Sequence, residues 1–191
     1  MTSSQPHRSV DDLFTQLLSL QAERTQPPVH LWHPERQGEI DIRIASDGAW
    51  WHEGGEIRRP ELVRLFASIL RLDDDGYCLV TPAERLRIEV DDAPFVAVDL
   101  DVRNPGMPDQ SMLFTTNVEE YVLLDADHAL AVVEKSTGPH PYIDVRSGLR
   151  ALLSRSVFYR LVELGEELPG ADLAGKLWVR SSGQRYCLGS L

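Results

Sequence analysis

Three arginines stand where helical electrostatics should repel them. Arg58 and Arg59 immediately precede an amphipathic pattern that opens at Pro60, and Arg146 precedes another that opens near Ser147. The first turn of a helix carries unsatisfied N–H groups and a partial positive charge, so a cation there is unfavourable by about 0.3–1 kcal/mol. Two kinds of compensation are open. Glu53, Glu56, Glu61 or Asp144 can pair with the arginines, or an anionic ligand can be held jointly by guanidinium forks and helix N–H groups. A second cluster is Trp50-Trp51-His52-Glu53. There an indole can stack on a ring while His52 and Arg43 donate hydrogen bonds. Acid–base work by His52 and Glu53 is a further option, although neighbours in a strand point to opposite faces. The plainer reading has Trp51 in the core, Trp50 half exposed and His52 solvated. A third set, Thr115, Asn117, His140 and Tyr142, offers hydrogen-bonding groups and an aromatic platform at the rim of a cleft, or else simply marks strand-end turns.

Other chemistry is missing from the chain. There is no G-x-x-x-x-G-K-[ST] phosphate loop, no G-x-G-x-x-G fingerprint and no G-x-S-x-G elbow. His33-Pro34-Glu35 resembles half of a zinc-deaminase signature without its P-C-x-x-C half. Asp73 to Gly76 imitates part of an EF-hand loop, but Pro82 occupies the closing Glu position. Cys78 and Cys187 lack metal-ligand spacing and read as small apolar strand residues. No catalytic residue, metal or cofactor is therefore expected.

The elements that must position these groups follow from periodicity. Ser9 and Asp12 open an amphipathic helix over 9–24, which Pro27-Pro28 ends. Residues 29–38 read as a loop. Ile40, Ile42 and Ile44 alternate into a hairpin whose Asp47-Gly48 reads as a two-residue turn, setting Ile44 opposite Trp51, Arg43 opposite His52 and Ile42 opposite Glu53. Pro60 starts a helix with Leu62, Leu65, Phe66, Ile69 and Leu70 on one stripe, closed by Asp73 to Gly76. Period-two strands follow, through Leu86-Ile88-Val90, Val96-Val98-Leu100 and the stretches near 112–116, 119–125 and 129–134. Ser136 to Pro141 reads as a loop. Leu149, Leu153, Val157 and Leu161 step by four into a second long helix, on which Arg160 must be paired or snorkel. A last hairpin joins 177–180 to 185–188. Arg59 to Ala67 and Arg146 to Ser154 share the pattern R-x-x-L-x-x-L-[FL]-[AS], which suggests an internal repeat.

Size and charge bound what remains. The chain has 191 residues and a net charge of −11, which argues against nucleic acid or an anionic membrane as partner. Seventeen of its 19 basic residues are Arg, so planar bidentate anion recognition is available. The first ten residues have no signal-peptide core, and no apolar run spans a bilayer, so a cytoplasmic location is the expectation.

The blocks DGAWWHEGGEIRRPELVRLFASIL, DGYCLVTPAER, VDDAPF, FTTN and PHPYIDVRSGLRALLSRSVFY, in that order, resemble an uncharacterised bacterial family of domains of unknown function. The resemblance implies a duplicated β-rich core, a C-terminal domain superficially like the pleckstrin-homology fold, and a nucleotide-like ligand in a cleft between domains with a signalling role. The expectation is thus α+β, with two β-rich antiparallel domains that each pack one long helix. A helical segment (1–27), an N-terminal α+β domain (28–80) and a C-terminal β-rich domain (81–191) divide the chain. The leading function is a small-ligand binding module for an anion, with Arg58, Arg59, Arg146, Trp50, His52, Glu53, Thr115, Asn117, His140 and Tyr142 as site residues. Closure of the two domains would carry the signal. The alternatives are a module that recruits a protein partner along exposed strand edges, and a hydrolase using His52 or Glu53.

Overall fold

The computed structural model describes residues 27–170 and 174–190. The helix expected over 9–24 lies outside them. Strands β1 (Arg36–Ile44), β2 (Trp50–His52) and β3 (Gly55–Glu56) form an antiparallel meander. Helix α1 (Pro60–Ser68) follows. A second meander of β4 (Leu70–Asp73), β5 (Gly76–Val80) and β6 (Glu84–Val90) then brings β6 back parallel to β1. The sheet order is β3-β2-β1-β6-β5-β4.

The second half repeats this plan. Strands β7 (Phe95–Arg103), β8 (Ser111–Thr116) and β9 (Tyr121–Leu123) form one meander, and β10 (Leu130–Lys135), β11 (Gly138–Arg146) and β12 (Leu149–Leu153) form the next. β12 lies parallel to β7, so the order is β9-β8-β7-β12-β11-β10, the same as in the first half. Helix α2 (Arg155–Glu163) and a small sheet of β13 (Glu166–Glu167), β14 (Lys176–Ser181) and β15 (Gln184–Ser190) complete the chain. The α+β expectation holds at this level, but both large sheets are mixed and not purely antiparallel. Each helix has nine residues, so neither is long. The first sheet runs to Val90, which places the join in the Asp91–Pro94 connection, beyond the expected division at residue 80.

The suggested sequence repeat is not the structural one. Arg59 to Ala67 runs into α1, whereas Arg146 to Ser154 runs through a hairpin turn and β12. Ser147 and Gly148 have φ of 45° and 79°, the paired left-handed geometry of a tight hairpin turn. Leu149, Ala151 and Leu153 are buried in alternation, a strand signature that coexists with the step of four carried on by Val157 and Leu161. The helix starts only after Ser154, whose side chain caps the Val157 N–H. Likewise, α1 stops at Ser68, and Leu70 belongs to β4.

One buried apolar cluster runs through both halves, from Ile42, Ile44, Trp50 and Leu70 to Phe95, Phe114, Ile143 and Leu161. Polar ties reinforce it at the join. Asp91 accepts two hydrogen bonds from Arg43, at 2.8 and 2.6 Å, and Asp92 accepts from Lys135 and Tyr142, at 2.9 and 2.7 Å. The connecting segment is therefore anchored to both halves. Such a join resembles a continuous core more than the mobile interface that hinged closure requires.

Candidate functional site

A depression of about 550 Å³ opens where the halves meet. Its first-half wall carries Gly48, Trp50, Glu56, Arg58 and Arg64, and its second-half wall carries Asn117 and Glu119. The β1–β2 turn builds one side. It spans Ser46, Asp47 and Gly48, closed by the Ala45 N–H donating to the Ala49 carbonyl at 2.9 Å. Gly48 has φ +84°, and a Cβ there would lie 2.6 Å from Asn117 Nδ2, so both conformation and space demand glycine. Asn117 links the halves: its Nδ2 donates to the Gly48 carbonyl at 3.2 Å, and its Oδ1 accepts from the Val96 N–H at 3.0 Å.

That three-residue turn moves the hairpin register by one from the expected two-residue version. Ile44 faces Trp50, Arg43 faces Trp51 and Ile42 faces His52. A one-residue slip exchanges the faces of a strand. Trp50, not Trp51, is consequently the core residue, 1% exposed and stacked on Phe66 with ring centroids 6.1 Å apart. Its indole Nε1 is buried and has no hydrogen-bond partner among the described residues. An orphaned buried N–H of this kind costs about 1–3 kcal/mol.

The rim is charged but balanced. Arg58 Nε donates to Glu56 at 3.0 Å, with the Arg58 side chain 83% exposed. Arg64 reaches across the join to Glu119 at 2.7 Å. The depression thus combines two guanidinium groups, two carboxylates, an indole wall and a carboxamide.

Of the residues expected from sequence, Trp50, Arg58 and Asn117 meet here. The others do not. Arg59 occupies the N-cap position of α1 with its side chain exposed and unpaired among the described residues, and it does not line the depression. Arg146 ends β11 and is at no helix start. Its guanidinium donates to the carbonyls of Ala67 (2.6 Å) and Leu70 (3.4 Å), pairs with Glu120 (3.2 Å) and lies 5.6 Å from the Phe95 ring centroid. It therefore caps the C-terminal end of α1, where the dipole favours a cation, and each of its nitrogens is engaged by protein. The electrostatic conflict inferred at Arg146 does not exist. His52 is exposed, its Nδ1–H donating to the Asp41 carbonyl at 2.8 Å, and Glu53 sits in an exposed turn at φ 49°. Neither has the enclosed, oriented setting that hydrolysis needs. Thr115 is within β8. His140 and Tyr142 lie on β11, where Tyr142 is buried with its hydroxyl donating to Asp92. Arg64 and Glu119 escape sequence reasoning as site residues, because a charge on the outer face of a helix and one in a turn show nothing unusual until the fold brings them together.

A second charged cluster is self-contained. Asp73 accepts from Arg71 at 2.7 and 2.9 Å and from Arg85 at 2.7 Å, and Arg85 also pairs with Asp75. The Arg71 hydrogen bonds, joined by Arg85, hold the Asp73 carboxyl well below the usual range despite partial burial. Burial, then the neighbouring Asp73, pushes the Cys78 thiol up to about 11, so it stays protonated and unreactive at neutral pH. Cys78 in β5 and Cys187 in β15 occupy strands, as their tripeptides indicated. Among the described residues no group of three or more His, Cys, Asp or Glu side chains is placed to hold a metal ion. None of their helices is long and apolar enough to cross a membrane.

Fold and site together define a β-rich protein built from two copies of one six-stranded plan, with a shared depression at their junction. Residues 27–93 match the model described as "Domain of unknown function (DUF1285), N-terminal domain", and residues 94–188 match "Protein of unknown function (DUF1285), C-terminal domain". The chain belongs to the DUF1285 family. It is similar to the crystal structure of a DUF1285 family protein from Silicibacter pomeroyi DSS-3, at 41% identity and a TM-score of 0.80, over 92% of this chain and 95% of that one. A DUF1285 family protein from Shewanella baltica OS155 is similar at 28% identity and a TM-score of 0.52, over 64% of this chain and 91% of that one. No curated protein matches the chain.

Proposed function

We propose that this protein is a small-ligand binding module whose site is the depression at the junction of its two halves. The observation that carries the reading is Arg58: an 83% exposed guanidinium at the mouth of a depression walled by both halves, with a single carboxylate partner. Exposed ion pairs of this kind are worth about 0–1 kcal/mol, so a ligand anion can displace Glu56 at little cost. Asn117 already uses Nδ2 and Oδ1 within the protein, and Arg64 is shared between Glu61 and Glu119. One available fork suits one anionic group. The two carboxylates of the rim and the net charge of −11 oppose a di- or triphosphate. The nucleotide-like expectation therefore narrows to a small monoanion, and Trp50 contributes a wall, since its ring is already stacked on Phe66. The anchored join argues against domain closure as the way a signal would leave the site.

The protein-partner alternative finds little support in the sheet edges. β3 has two residues and β9 three, β4 is covered by the 3-10 turn at Val29–Leu31, and β10 lies against β15. Short or covered edges are poor templates for an added strand.

Thermal-shift and calorimetric titration of the full chain with a panel of monoanionic metabolites tests the proposal. Ligands that raise Tm should lose about tenfold in affinity with Arg58→Ala, which removes a charge-assisted hydrogen bond. A panel that leaves Tm unchanged up to millimolar concentration, or binding indifferent to Arg58→Ala, would overturn it.

A further inference from the structure

Strand β11 carries Pro139 and Pro141. The Asp144 N–H donates to the carbonyl of Ala129, the residue before β10, so even-numbered amides of β11 point towards β10 and odd-numbered positions towards β12. The two prolines therefore sit where their missing N–H groups would have faced β12. β12 ends at Leu153, however, and the chain turns away into α2. Proline at these positions leaves no donor stranded, which is why a strand tolerates it. The departure of β12 leaves a notch of about 420 Å³ beside the proline edge, roofed by the first turn of α2.

The lining of this notch differs from that of the junction depression and of the hollows around Arg71 and beside Glu39. It presents Pro139, His140, Pro141, Arg155, Phe158 and Tyr159 and contains no carboxylate. The junction depression has two carboxylates, and the hollows around Arg71 and beside Glu39 have three and four. In a chain of 30 acidic and 19 basic residues, a carboxylate-free concavity with an arginine is a local inversion of charge. Arg155 keeps that charge available: its guanidinium makes no ion pair or hydrogen bond among the described residues. On the flanking elements, Arg150 is bound to Asp144 and Arg160 to Asp99. Tyr159 is 63% exposed and Phe158 half-buried beside it, so an aromatic surface adjoins the Arg155 cation. His140 Nδ1–H donates to the Gly138 carbonyl at 2.9 Å, and Nε2 lies 3.5 Å from the Thr137 hydroxyl.

We propose that this notch is a second binding site, distinct from the junction depression, for a free small molecule consisting of a planar ring bearing one carboxylate or phosphate. The anionic group pairs with Arg155 in bidentate fashion. The ring lies against Tyr159, Phe158 and the proline edge, which supply apolar area and a flat face. The volume falls within the range of small-molecule pockets, about 300–1,000 Å³. The first turn of α2 contains no acidic residue, so its dipole adds to the attraction and does not oppose it.

The test is an amide-resolved NMR titration of the full chain with phenyl phosphate, benzoate, inorganic phosphate and phenol. Phenyl phosphate and benzoate should shift the amides of 137–143 and 153–159 saturably. Inorganic phosphate and phenol should each bind at least about tenfold more weakly, since each lacks one of the two recognised groups. Arg155→Ala should weaken phenyl phosphate by about tenfold or more, and Tyr159→Ala should weaken it while leaving inorganic phosphate unchanged. Both side chains are exposed, and an unchanged Tm confirms that each variant is folded. The proposal is overturned if no saturable shift occurs at millimolar ligand, if Arg155→Ala binds as well as the parent, or if inorganic phosphate matches phenyl phosphate. Shifts confined to 48–64 and 117–119 would also overturn it while supporting the junction site.

Discussion

In the first half the helix is inserted between the two meanders and lies at the junction. In the second it follows the last strand and packs on β7 and β14 of its own half. The strand orders are the same, so the difference isolates what helix placement does. Arg146 from the other half takes up the Ala67 carbonyl in the last turn of α1 and the Leu70 carbonyl at the start of β4, and Arg64 of α1 reaches Glu119 there. α2 ties back to its own half instead, Arg160 pairing with Asp99 and donating to the Leu100 carbonyl. Core content follows the same division. Among the described residues, of the twelve largest fully buried side chains only Trp50, Ile44 and Leu70 belong to the first half. A duplicated plan has thus diverged into one half with a large core of its own and one completed by its neighbour.

Four substitutions test this difference between the halves. The largest effect belongs to Trp50→Ala, which empties the biggest buried side chain of the weaker half and should cost about 3–5 kcal/mol in urea unfolding. Trp51→Ala, one residue away on the other face, should cost less than about 1 kcal/mol. Equal costs would refute the pairing of Ile44 with Trp50. Arg146→Ala comes next, leaving Glu120 and two carbonyls without their donor. Its expected cost is about 2–3 kcal/mol, towards the lower end of buried-pair losses because the side chains keep some solvent contact. Amide hydrogen exchange should show protection lost mainly in β1–β6 while β7–β12 stay protected, and a uniform loss would deny the asymmetry. Acid sensitivity is expected to be a smaller effect than that of Trp50→Ala or Arg146→Ala. Asp73 has a folded pKa depressed by Arg71 and Arg85, so its contribution is present above the unfolded value near 4 and fades as pH falls below it. Stability should decline by about 1–2 kcal/mol through that window. Asp73→Asn should be weaker at neutral pH and lack this part of the decline; parallel pH profiles for the two proteins would contradict it.

Most strands and the strand setting of both cysteines were legible because they depend on local alternation; Arg160 is paired as expected, although its side chain is 51% exposed and not on a buried face. The family was legible from ordered blocks of residues. Two of the failures share one cause, a turn misjudged. Reading Asp47-Gly48 as two residues and not three put the wrong tryptophan in the core. Reading Ser147-Gly148 as a helix entrance and not a hairpin hid β12 and reversed the electrostatic meaning of Arg146. Prolines 139 and 141 hid β11, since only the early departure of β12 makes them acceptable there. Arg64 with Glu119, and Arg146 with the end of α1, join residues some 55 to 79 positions apart. No local pattern carries such a pairing.

The parallel pairs at the centre of each sheet bear on synthesis. β1 must await β6, and β7 must await β12, each emerging from the ribosome about fifty residues later. At roughly 5–20 residues per second, the inner edge of each first meander stays open for several seconds. Long-range closure of this type also slows folding after release. The nascent protein thus passes twice through a stage with an unsatisfied apolar strand edge, and a chaperone that engages such edges would find it most receptive in those two intervals.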